Sequence, residues 1–218
     1  MPIVETLAAF LHLLVFVYWL GGDLGAFYAS HALTAPGVSA ERRLFAAKVV
    51  GDIDMAPRSA LVLALPTGAL LADVNGWITL PAAALVLLFA ASLSWLVVVW
   101  RLHRAHDAAA GLKRVDGVFR QLTLAGLLAA GAAGLAGAPP MPFFIAVKLL
   151  LLAGAVAMGV LIRRVLAPLS PALQGLSGPD AARAERDLAL ILGKARPLVV
   201  IIWILISAAA LMGLARPT

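Results

Sequence analysis

The stretch PFFIAVKLLLLAGAVAMGVLIRR, residues 142–164, decides the fold. It is apolar from Phe143 to Ile162 except for one cation, Lys148, and it stops at the pair Arg163-Arg164. About 20 mostly apolar residues cross the hydrocarbon core of a bilayer, so this stretch reads as a span ending at a basic surface. Working outward, five further stretches qualify: 6–29, 57–74, 79–100, 121–138 and 196–215. Only 13% of the 218 residues are charged and mean hydropathy is +1.01. The expectation is an all-α, polytopic transmembrane helix bundle of about six spans in a single domain, 1–218. Glu5 and the lack of an early Lys or Arg are wrong for a signal peptide, so the start reads as the first span.

Charge placement gives the orientation. Fifteen of the 17 Lys and Arg fall into three blocks. These are Arg42, Arg43, Lys48, Arg58; Arg101, Arg104, Lys113, Arg114, Arg120; and Arg163, Arg164, Arg183, Arg186, Lys194, Arg196. The intervening connections, Ala72–Trp77 and Ala138–Pro142, carry none. Basic connections stay on the cytoplasmic side, which puts both termini outside and suits a bacterial-type plasma (inner) membrane. The same cations account for the pI near 10.5 and would meet anionic lipid headgroups; no nucleic acid partner is implied. Residues 37–56 and 180–195 look amphipathic and are expected to extend helices into the cytosol. Asn75-Gly76 signals a tight turn. Small residues at four-residue spacing (Gly126, Ala130, Gly134; Gly21, Gly25; Ala155, Gly159) are packing signals.

Polar residues at membrane depth are the candidates for function. At 100° per residue His12, Trp19, Asp23 and Ser30 lie within about 20° of one line on the first span. His12 sits some 10 Å inside the outer end, by a rise of about 1.5 Å per residue, and Lys148 lies at similar depth in the fifth. Each has a plainer reading: His12 bonded to a neighbouring helix, Lys148 snorkelling to headgroups. Together they are placed to meet one ligand. Asp23, Asp52, Asp54 and Arg58 form a second polar group at the inner face, as salt bridges or as a proton route. Arg196 shares a face with Trp203 and Ser207 at the cytosolic mouth. His31, His103 and His106 map to the cytoplasmic side as solvated residues.

Several of these residues resemble a known family. Leu11-His12-Leu13-Leu14 through Trp19-Leu20-Gly21-Gly22 is similar to the first helix of the HemJ-type protoporphyrinogen oxidases and the related CopD-type membrane proteins. Arg42-Arg43-Leu44 with Met55-Ala56-Pro57 resembles the approach to their second helix. Ala146-Val147-Lys148-Leu149 resembles their third, and Pro197 with Ala215-Arg216-Pro217 their last. These patches cover about half the chain. The resemblance implies a b-type haem held by His12 as axial ligand, with Lys148 as the second functional position and catalytic residue, and six-electron oxidation of a porphyrinogen. Trp19 and Arg196 would be further cofactor-binding positions. The family has four spans, whereas residues 76–140 here add a pair.

Three function classes follow. The first is a haem-binding redox protein; with one histidine at depth, the iron would take His12 with Lys148, His12 with an open position, or a homodimer. The second is a copper-handling permease, for which the chain has no Cys and no close Met repeat, although soft ligands favour copper. The third is a non-catalytic subunit of a larger membrane complex.

Overall fold

A computed structural model describes residues 3–105 and 110–217. The chain runs α1 (Ile3–Ala29), a 3-10 turn (Ser30–Leu33), α2 (Ala40–Ile53), α3 (Met55–Val74), α4 (Ala82–Arg104), α5 (Ala110–Leu135), α6 (Phe143–Val165), α7 (Leu169–Gly175) and α8 (Ala181–Ala215). Six segments containing α1, α3, α4, α5, α6 and α8 are long and apolar enough to cross a membrane. The protein is a multi-pass, all-α membrane bundle.

The spans close into a ring in chain order, each packing on the next, with α8 returning to α1. Four of them share the centre: Val15 and Trp19 of α1, Ala60 and Ala64 of α3, Ala155 of α6, Ile202 and Ile206 of α8. The α4–α5 hairpin stands outside this four-helix core. It leans on α3 through Trp95 and Val99, which pack with Met55 and Val62, and on α6 through Leu127 against Ala153 and Val156. Leucines, isoleucines and valines on the outer faces (Leu7, Val86, Leu93, Ile204, Leu211) are exposed, as lipid-facing residues must be.

Proline and glycine set the joints. Pro57 has no N–H for the Ile53 carbonyl, so the helix bends there, and Asp54 serves both as the last cap of α2 and the first of α3. The outer turn after α3 forms at Asn75-Gly76, where Gly76 takes φ +68° and its N–H bonds the Asp73 carbonyl at 2.9 Å. Pro197 lies inside α8 without ending it; the Gly193 carbonyl it leaves unbonded belongs to an exposed residue beside the charged Lys194 and Arg196, where water can serve it. At about 1.5 Å per residue α8 is roughly 52 Å long, so its first turns stand clear of a core about 30 Å thick.

The helices run past the proposed spans: α5 starts at Ala110, ahead of 121, and α8 at Ala181, so the amphipathic residues extend the last helix as expected. Residues 181–195 are thus continuous with the last span. The small-residue faces are met in part: Gly134 and Gly25 make close approaches and Ala155 is fully buried, as expected, whereas Gly21, Gly126 and Gly159 have open space around them and Gly22 and Gly131 pack in addition.

Arg43 shows that a loop cation can be structural. It is 5% exposed and donates to the carbonyls of Val38 (3.0 Å), Ala35 (3.2 Å) and Leu33 (3.4 Å). Its remaining reach goes to Glu185 of α8 at 3.2 Å. Arg43→Ala would leave three carbonyls short of a donor. We expect a loss of about 2–3 kcal/mol, from charge-assisted bonds at about 1.5–3 kcal/mol each with partial replacement by water. Limited proteolysis, read as faster cleavage between Leu33 and Ser39, checks it.

Candidate functional site

The outer half of the four-helix centre holds the two residues singled out by sequence. Along α1 and α3 the antiparallel register is uniform: Gly22 abuts Pro57 and His12 abuts Gly68. His12 Nδ1 lies 3.0 Å from Thr67 Oγ1. That hydroxyl is also 2.7 Å from the Leu63 carbonyl and 3.3 Å from that of Ala64; with its proton on a carbonyl it accepts from Nδ1, the tautomer that leaves the Nε2 lone pair available. Metal-binding histidines are oriented in this way, with the second nitrogen donating to a fixed acceptor. Gly68 makes room for the imidazole: a Cβ there would stand 3.1 Å from His12 Cε1.

Lys148 arrives from α6 at the same level. Phe144 and Ile145 pack with Ala72, and Ala153 and Val156 with Leu61 and Leu65. Interpolating between these contacts sets Lys148 beside the Gly68 turn of α3. It is lodged against Gly213 of α8, where a Cβ would lie 2.5 Å from Nζ. Both side chains are half-buried, and no hydrogen bond joins them among the described residues.

The remaining candidates divide. On the stripe of α1, Trp19 and Ser30 are buried and Asp23 half-buried; Trp19 is sealed in the central core about 10 Å inward of His12 at about 1.5 Å per residue. Asp23 is within electrostatic reach of Asp54, and its Oδ2 is buried with no hydrogen-bond partner among the described residues. Asp54 pairs with Arg58. Asp52 leaves the expected group, because the turn of helix carries it outward to His103 Nε2 at 3.1 Å. His103 is therefore paired rather than simply solvated. His31 is exposed and bonds the Phe27 carbonyl through Nδ1 at 3.1 Å; His106 lies outside the described residues. Arg196 Nη2 donates to Thr34 Oγ1 at 3.4 Å. α1 runs about 25 Å from His12 to Ala29 at about 1.5 Å per residue, and Thr34 lies beyond that end, so Arg196 and His12 cannot hold one ligand.

Sequence reading missed the best-connected polar site. Asp116 of α5, 3% exposed, accepts from Trp95 Nε1 (2.9 Å) and from Arg120 Nε (3.0 Å) and Nη2 (3.2 Å). Arg163 of α6 completes it at 3.2 Å. Arg120, 6% exposed, lies over the Trp95 ring at 5.5 Å. Two cations of the basic blocks, Arg120 buried and Arg163 partly exposed, thus meet one buried carboxylate and join α4, α5 and α6. The signal was present: Asp116, Arg120, Leu127, Gly131 and Gly134 fall on one stripe of α5, all buried.

Among the described residues no three of His, Asp and Glu gather to hold a metal ion. Met55, Met158 and the pair Met141 and Met212 fall in three separate clusters. A single imidazole with an open nitrogen would suit an iron already held by a macrocycle better than a bare ion, which needs several protein ligands. Compared with known family models, curated proteins and solved structures, the chain finds no match in any of the three.

Proposed function

We propose that this chain is a haem-binding redox protein of the bilayer, in the manner of the HemJ-type protoporphyrinogen oxidases it resembles. His12 would be the axial ligand through Nε2, and Lys148 the second functional group on the opposite wall. The observation that carries this reading is the His12 Nδ1 contact with Thr67 Oγ1 at 3.0 Å, which holds the ring by one nitrogen while Nε2 has no hydrogen-bond partner among the described residues. The shared centre of α1, α3, α6 and α8 also supports it, because those are the four helices in which the resemblance lies, with the α4–α5 pair added outside. Bound haem would supply one-electron chemistry; the helices would hold it, exclude water and position Lys148. A plasma membrane of bacterial type is the setting this proposal assumes.

The test is an absorption spectrum of the purified protein, with haem added where it is substoichiometric. We expect a Soret band that disappears in His12→Ala and falls about tenfold in affinity in Thr67→Val, in line with the 10–100-fold effect of removing a partner behind a metal ligand. A wild-type protein that takes up no haem would end the proposal, and copper bound in its place would favour the permease.

A further inference from the structure

Two cations converge at the outer ends of α6 and α8. Lys148 Nζ fills the notch left by Gly213. Three residues on, Arg216 caps α8 in the left-handed region, at φ 44° and ψ 53°. A non-glycine residue there is strained. The turn brings the Arg216 side chain back over its own helix end: Nε donates to the Gly213 carbonyl at 3.4 Å, and the guanidinium stacks on Trp77 at 4.7 Å. Both side chains thus meet at Gly213. Among the described residues no carboxylate lies within ion-pair distance of either. The nearest acid on the outer turn, Asp73, is engaged by the Leu80 N–H at 2.9 Å.

Like charges drawn together on one glycine, by a strained backbone and with no counter-ion among the described residues, are each unfavourable alone. They are understandable together if an anion completes them. We propose that Lys148, Arg216 and Trp77 form an oxyanion-binding site at the outer mouth of the bundle. It takes the carboxylate or phosphate of an amphiphile whose apolar body lies in the interior beside His12. Arg216 supplies a planar fork that matches either oxyanion, Lys148 a point charge, and Trp77 a rigid platform beneath the fork. The site does not require iron at His12, so it stands or falls separately from the haem proposal.

Metal-free protoporphyrin IX, its dimethyl ester and phosphatidylglycerol separate the possible sources. Protein in phosphatidylcholine nanodiscs is titrated with each porphyrin by fluorescence, for wild type, Arg216→Gln and Arg216→Lys. Tighter binding of the diacid than the ester, weakened about tenfold in Arg216→Gln and partly restored in Arg216→Lys, supports the site with a carboxylate ligand; tenfold corresponds to one charge-assisted contact of about 1.4 kcal/mol. Equal porphyrin binding, with phosphatidylglycerol retained by wild type and lost by Arg216→Gln in native mass spectrometry, supports it with a phosphate ligand. Diacid and ester binding alike, with no lipid retention that depends on Arg216, overturns it. Arg216 is exposed at a helix end, so its variants report on binding rather than folding.

Discussion

Replacing Asp116 with alanine is expected to destabilise the bundle by about 3–5 kcal/mol, the usual cost of removing one partner from a buried ion pair. Asp116 answers three donors at once: the Trp95 indole, the Arg120 fork and Arg163. Without it, Arg120 keeps its charge at 6% exposure with no acceptor, in surroundings where an unpaired polar group has no water to turn to. Arg163 suffers less, because its side chain is 40% exposed and can extend toward the inner surface. The partner experiment is decisive. Asp116→Leu with Arg120→Met removes both charges and fills similar volume, so it should recover most of the loss, as apolar replacement of buried pairs often does. Thermal unfolding in detergent, followed by helix signal and by aggregation, reads both. A double variant no better than the single one would mean the aspartate acts through something other than charge neutralisation.

That clamp also shows what the sequence could and could not tell. His12 and Lys148 were legible because each interrupts a long apolar run, where a polar side chain has no cheap explanation. Asp116 and Arg120 were not, because they sit four residues apart just after Lys113-Arg114, and a charged segment beside a basic loop reads as solvated. Their burial depends on α4 bringing Trp95 to the same level, which is a tertiary fact. The order of spans and the outer turns followed directly from hydropathy and from Asn75-Gly76. The start of α5 did not, since its charged first turns continue the helix past the apolar boundary. Arg43 was read as a topology marker, yet its three carbonyl partners hold the connection after α1. Which glycine of a pair faces a neighbour was also beyond reach: a spacing of four is satisfied equally by Gly21 with Gly25 or by the face one residue on.

Neighbouring glycines of α1 should therefore respond in opposite directions to the same substitution. A Cβ at Gly22 would stand 2.5 Å from Pro57 Cδ, 2.9 Å from Ala56 Cβ and 3.2 Å from the Pro57 backbone nitrogen. None of these atoms belongs to a flexible side chain, so α1 and α3 must move apart. Gly22→Ala should cost about 1–3 kcal/mol, the usual range for overpacking, and Gly22→Leu more. A Cβ at Gly21 meets nothing within 4 Å, and Gly21→Ala should be neutral or stabilising by up to about 1 kcal/mol through helix propensity. The consequence reaches the candidate site. His12 and Thr67 face each other across the same pair of helices, ten residues outward of the Gly22 and Pro57 contact, and their 3.0 Å hydrogen bond depends on that spacing. Separation at Gly22 should lengthen it, loosen the His12 tautomer and weaken haem uptake, while Gly21→Ala leaves uptake unchanged. Stability and haem titration measured on the two alanine variants in one detergent check both halves. Equal behaviour of the two would place the α1–α3 contact on a different face of the helix.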